Sequence, residues 1–135
     1  MMDKEELKKI MLSNPFSAYV GMELVEVGEG YAMGRVKFDK KHENTYGGMH
    51  GGCAYALADT IGGIAALTYG RYVTTVNSAM SYLQPVKDTE YVYCEAKVVR
   101  YGGQLSVFSV SVMNDNMELL IDGDFTYYAL NEASE

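Results

Sequence analysis

Apolar residues recur along the chain at two periods, and each change of period marks a change of element. Over residues 3–12, Leu7, Ile10 and Met11 fall at helical spacing among lysines and glutamates. This predicts a short amphipathic helix, peripheral to the fold and stopped near Asn14-Pro15. Over 21–38 the period shortens to two: Ala32, Gly34, Val36 and Phe38 share one face, and Arg35 and Lys37 lie on the other. The segment reads as two short strands turning at Glu29-Gly30. The polar run 39–49, with Gly47-Gly48 near its end, reads as a loop.

Residues 49–69 are apolar all round a helical wheel, which predicts a buried helix. Gly51, Gly52, Gly62 and Gly63 each cost a helix about 1 kcal/mol relative to Ala, so a sheet or a second backbone is expected to pack close to them. After Gly70, alternation predicts strands over 72–83, 90–101, 104–113 and 118–130, arranged as an antiparallel meander. Gly102-Gly103 and Asn114-Asp115-Asn116 supply its hairpin turns. One long buried helix and about six antiparallel strands make an α+β domain in which a curved sheet wraps the helix.

At 135 residues and 14.9 kDa the chain reads as one domain over 1–135, with a helical segment at 1–20. Eleven basic against 18 acidic residues give a net charge of -7, which argues against nucleic acid or an anionic membrane as a partner. Cys53 and Cys94 sit in no metal-ligand spacing and read as two free thiols of a reducing compartment. With no apolar run of signal-peptide or membrane-spanning length, the expected location is cytoplasmic.

Asp59 is the one formally charged residue between Met49 and Gly70. A carboxylate on an apolar helix either caps a loop, forms a salt bridge to a sheet residue, or takes part in chemistry. At the start of the same helix, His50-Gly51-Gly52 follows a glycine-rich loop. The first backbone amides of a helix are unpaired, so this sequence either merely allows a turn or forms an oxyanion hole in which the Gly51 N–H polarises an acyl carbonyl. His50 and Asp59 are nine residues apart, hence on nearly opposite helix faces and roughly 13 Å apart along the axis. If both act on one carbonyl, the site lies between two subunits and the protein is an obligate homodimer, for which an exposed strand edge offers a means of pairing.

The run NTYGGMHGGCAYALAD, from Asn44 through Asp59, resembles the signature of hotdog-fold acyl-CoA thioesterases of the phenylacetate-degradation (PaaI-like) group. Weaker similarity covers most of 21–130, including VNSAMSYLQP up to Pro85. The resemblance implies hydrolysis of an acyl-CoA thioester by a homodimer or homotetramer. Asp59 would be general base or nucleophile, Gly51 the oxyanion donor, and Asn44 a polar group near the carbonyl or water. His50 would lie near the sulfur, and Thr75 would orient the attacking water.

Gly52, Tyr46, Tyr55, Met80 and Tyr82 are candidates for the substrate-lining surface. Many relatives carry a cation beside the turn where this chain has Gly102-Gly103, so the phosphates of coenzyme A fall to Arg100, Lys97, Lys87 or Lys41. No metal or redox cofactor is expected, coenzyme A entering only as part of the substrate. The competing readings are a hydratase on the same fold and a noncatalytic acyl-CoA binding module. The first pairs a loop histidine with a helix acid in a Pro-rich context that is absent around His50, and the second would have no use for Asp59.

Overall fold

The computed structural model describes residues 2–132. The N-terminal segment forms two helices: α1 (Lys4–Ser13), capped by the Asp3 carboxylate, which accepts the Glu6 N–H at 2.9 Å, and α2 (Pro15–Val20). Asn14-Pro15 both ends the first helix and starts the second. The Asn14 side chain accepts the Phe16 N–H at 3.0 Å, and Pro15 takes the first helical position, where its missing N–H costs nothing. Gly21, at φ +86°, closes α2 in a left-handed turn. The helix read as peripheral is not: Leu7 and Met11 are 0% and 3% exposed and belong to the main core, because α1 packs against the first strand and the central helix.

Strands β1 (Met22–Gly28) and β2 (Tyr31–Lys37) follow, then a 3-10 turn at Lys40–His42 and the central helix α3 (Gly51–Leu67). The last four strands are β3 (Arg71–Tyr82), β4 (Tyr91–Tyr101), β5 (Leu105–Met113) and β6 (Leu119–Glu132). All six form one antiparallel sheet in the order β1-β2-β4-β5-β6-β3. The expected four-strand meander is therefore corrected. Only β4, β5 and β6 run consecutively, whereas β3 lies at the far edge against β6, and β4 pairs with β2. The two turns with hairpin chemistry join β4 to β5 and β5 to β6. The link 83–90 has none and contains Pro85 and the positive-φ residue Asp88, so it carries the chain across the molecule instead of reversing it.

The inner face of the sheet closes on α3, whose Leu57, Ala58 and Ile61 are fully buried against β2, β4 and β5. At Gly34 a Cβ would collide with the Ile61 side chain, so this glycine sets how closely β2 approaches the helix. Of the two sheet edges, β1 lies against α1 and α2, while β3 has no partner beyond β6 among the described residues. A register shift between Thr75 and Asn77 sets Val76 out of step, and Val76 is 56% exposed. Among the described residues no helix is long and apolar enough to cross a membrane.

Candidate active site

The start of α3 is built by the loop before it. Asn44 folds that loop on itself: its N–H donates to the Gly48 carbonyl at 2.7 Å, and its Oδ1 accepts the N–H groups of Tyr46 and Gly48 at 2.8 and 3.2 Å. Gly47, at φ +85°, provides the turn. The loop is anchored by His42, a residue the sequence reading passed over. It is buried, its Nδ1 accepts the Asp39 N–H at 3.0 Å, and its Nε2 lies 2.8 Å from the Val20 carbonyl. That pattern assigns the neutral ring with hydrogen on Nε2.

His50 is the N-cap of α3. Its Nδ1 accepts the Gly52 N–H at 2.9 Å, and its carbonyl accepts those of Cys53 and Ala54. The Gly52 amide is thus spent on the cap and is not offered to a substrate. The Gly51 N–H is left without a partner among the described residues. From β3 the Tyr82 hydroxyl donates to the Gly51 carbonyl at 2.8 Å and its ring lies beside Gly51, so Tyr82 braces the helix start. These residues open on a cleft of about 480 Å³ lined by Asn44, Tyr46, Gly51, Tyr82 and Lys87. Tyr46 is 92% exposed at its rim.

Asp59 lies midway along α3 and is half-buried. Its Oδ1 accepts the Thr75 hydroxyl at 2.6 Å from β3. The Tyr127 hydroxyl, from β6, donates to the Asp59 backbone carbonyl at 2.8 Å and lies 3.3 Å from Oδ1. No cation pairs with Asp59 and it caps no loop among the described residues; its partners are the hydroxyls of two sheet residues, Thr75 and Tyr127. Asp59, Thr75 and Tyr127 line a second cleft, of about 330 Å³, together with Gly63, Ile64 and residues of α1 and α2. Gly63 therefore does not mark the close packing expected of it: a Cβ there would meet only the edge of Tyr127 at 3.9 Å, beside this cleft.

Within one chain the Gly51 amide and the Asp59 carboxylate stay apart, separated by about 12 Å along the helix axis, and His50 and Asp59 lie on nearly opposite faces of α3. His50 opens on a third recess, with Phe16, Tyr19, Lys41 and Cys53. Of the other expected lining residues, Tyr55 bonds the Ser78 hydroxyl under β3, and Met80 packs against the core. Lys97 pairs with Glu95 at 3.5 Å, and neither Lys97 nor Arg100 lines any of these three clefts. Lys87 stands in the Gly51 cleft, and Lys41 lies over the Tyr19 ring at 4.8 Å. Both cysteines are free thiols, and burial pushes each above its ordinary range, which keeps them protonated and poorly nucleophilic. Among the described residues no three His, Cys, Asp or Glu side chains cluster as a metal site would need.

One buried central helix packed on a six-stranded antiparallel sheet is the arrangement of the hotdog fold. The structure of the PaaI protein of the Escherichia coli phenylacetic acid degradation operon superposes with a TM-score of 0.88, over 95% of this chain and 94% of that one. At 19% identity that likeness is one of fold. The family model of the Thioesterase superfamily matches residues 46–121, more than half of the chain, and the chain belongs to that family. It is a thioester hydrolase by class. A putative esterase of Thermoplasma acidophilum is 29% identical over 95% of this chain and 98% of its own length. Human acyl-coenzyme A thioesterase 13 is 28% identical over 82% of this chain and 81% of its own.

Proposed function

We propose that the protein hydrolyses acyl-CoA thioesters to the free acid and coenzyme A, at a site shared by two copies of the chain. The observation that carries this reading is the division of the site. A hydrogen-bonded carboxylate lies in one cleft and an unpartnered helix-start amide in another, and β3 touches both, through Thr75 and Tyr82. Thr75, Ser78 and Tyr82 all reach the α3 side of β3. If Val76 is passed over as the extra residue of the bulge, Thr75 and Tyr82 are equidistant from Ala79. Antiparallel pairing of the open β3 edge with its own copy about a two-fold axis at Ala79 sets Thr75 opposite Tyr82 of the second copy. Paired strands lie about 4.8 Å apart, so the Asp59 group of one copy comes alongside the Gly51 group of the other.

In that arrangement the Gly51 N–H holds the thioester oxygen, and the helix start favours the negative charge that gathers there. The Thr75 hydroxyl fixes Oδ1 of Asp59 and leaves the other oxygen to accept a proton from water as its oxygen attacks the acyl carbon. The tetrahedral intermediate collapses with cleavage of the C–S bond, and the proton passes to the departing thiolate, so one water is consumed per acid and thiol formed. Asn44 shapes the loop that presents Gly51, and His50 serves as the cap that orients it, on the far side of the helix from the chemistry. Lys87, which lines the Gly51 cleft, supplies positive charge for the phosphates of coenzyme A. Two unbridged thiols support a cytoplasmic setting. The human relative's name supports coenzyme A as the carrier.

Release of free thiol from acyl-CoA substrates of graded chain length and from aromatic ones tests the reaction. The expected result is catalytic turnover with a clear preference among acyl groups. Absence of thiol release from every acyl-CoA, by a protein that still binds coenzyme A, would replace the hydrolase reading with a binding module.

A further inference from the structure

A carboxylate that takes a proton from water must be held in place, and on α3 the packing around Asp59 provides an unusual brace. We propose that Tyr127 is a positioning residue for Asp59, and that Gly62 exists to admit it; the proposal rests on the reading of Asp59 as the base. Tyr127 is 2% exposed, wedged between Phe108 and Phe125, with ring centroids at 5.9 and 6.1 Å. This aromatic packing fixes the ring, and its hydroxyl emerges against α3, on the Asp59 carbonyl at 2.8 Å and near Oδ1 at 3.3 Å. Burial first, and then the Asp59 charge and hydrogen bond, push the phenol well above its ordinary range, so it remains a donor throughout the working pH range.

The adjoining glycine makes room for this hydroxyl. A Cβ on Gly62 would run into the Tyr127 hydroxyl and crowd its ring. Gly in mid-helix sacrifices about 1 kcal/mol relative to Ala, and here the absent side chain is what lets a sheet tyrosine reach the helix backbone at Asp59. Thr75 and Tyr127 thus hold the same residue from two different strands, one by its carboxylate and the other chiefly by its backbone, and together they fix where the free oxygen stands.

The test is Tyr127→Phe, which keeps the packed ring and removes only the hydroxyl. The expected result is a fall in kcat of about tenfold, the scale of one hydrogen bond to a charged or polarised group, with KM changed by less than about twofold. Because Tyr127 acts through Asp59, the double variant Asp59→Asn/Tyr127→Phe is expected to be no slower than Asp59→Asn alone. Gly62→Ala, which displaces the hydroxyl while leaving residue 127 a tyrosine, gives a second reading and is expected to lower kcat in the same way. Wild-type kcat in Tyr127→Phe, or an undiminished loss in the Asp59→Asn background, would overturn the positioning role while leaving the hydrolase reading intact. Wild-type kcat in Asp59→Asn itself would remove the base assignment and this proposal with it.

Discussion

Asp59→Asn is expected to lower kcat for thioester hydrolysis by at least about a hundredfold while KM stays within about twofold of wild type. Asn keeps the size of the side chain and an oxygen to accept the Thr75 hydroxyl, so the hydrogen bond at 2.6 Å survives. No ion pair is broken among the described residues, since no cation faces Asp59. What the amide cannot do is accept the proton from attacking water. The effect therefore belongs to the chemical step and not to binding or folding. Steady-state thiol release, with thermal melting to show that the fold is kept, separates these. A rise in KM at unchanged kcat would mean that Asp59 only holds the substrate.

The second large effect is expected from Gly51→Pro, a substitution the local geometry makes unusually clean. Gly51 is the first residue of α3, the helical position where proline is most readily accepted. The residue before it, His50, has φ -57° and ψ 131°, the extended conformation that a following proline requires. A Cβ at Gly51 would lie 3.4 Å from the Tyr82 ring, an ordinary contact. The substitution thus removes the unpartnered N–H with little other change, and kcat is expected to fall about 10²- to 10³-fold, the usual loss for one oxyanion-hole donor. Gly51→Ala retains the N–H and is expected to stay within about tenfold of wild type. Equal losses in the two variants would assign the effect to crowding near Tyr82 and not to the missing amide.

These two residues were legible in the sequence because each stands out locally: Asp59 as a lone charge on an apolar helix, Gly51 as part of a glycine-rich helix start. The separation of His50 from Asp59 followed from helical geometry alone. The strands were legible in the same way, since alternation is a local signal, but their order was not. Whether β3 lies beside β4 or beyond β6 depends on where the link 83–90 carries the chain, and a short link without hairpin residues leaves that open. Tyr127 is a core position of β6, buried with Ile121 and Phe125 on one face of the strand. What alternation cannot show is where the hydroxyl at the end of a core tyrosine arrives. The nearest signal was Gly62, which called for close packing, but the group that packs there, the Tyr127 ring and hydroxyl, is known only once β6 is set against α3. Two histidines invite a catalytic reading, yet both ring systems hold backbone amides, His42 in the loop and His50 at the cap. Pairing a ring nitrogen with an amide three or two residues away is invisible until the loop's path is known.

The central claim is that one copy's Asp59 works with the other copy's Gly51, and a mixed dimer tests it most directly. Asp59→Asn and Gly51→Pro chains, each nearly inactive alone, can be coexpressed with different affinity tags and the mixed species isolated on both. In a mixed dimer one site combines the intact Asp59 of the Gly51→Pro chain with the intact Gly51 of the Asp59→Asn chain, and the other site carries both changes. The account predicts about half of wild-type activity per dimer. A doubly tagged dimer no more active than its parents would contradict it, because a site formed within a single chain leaves neither half of the mixed dimer complete.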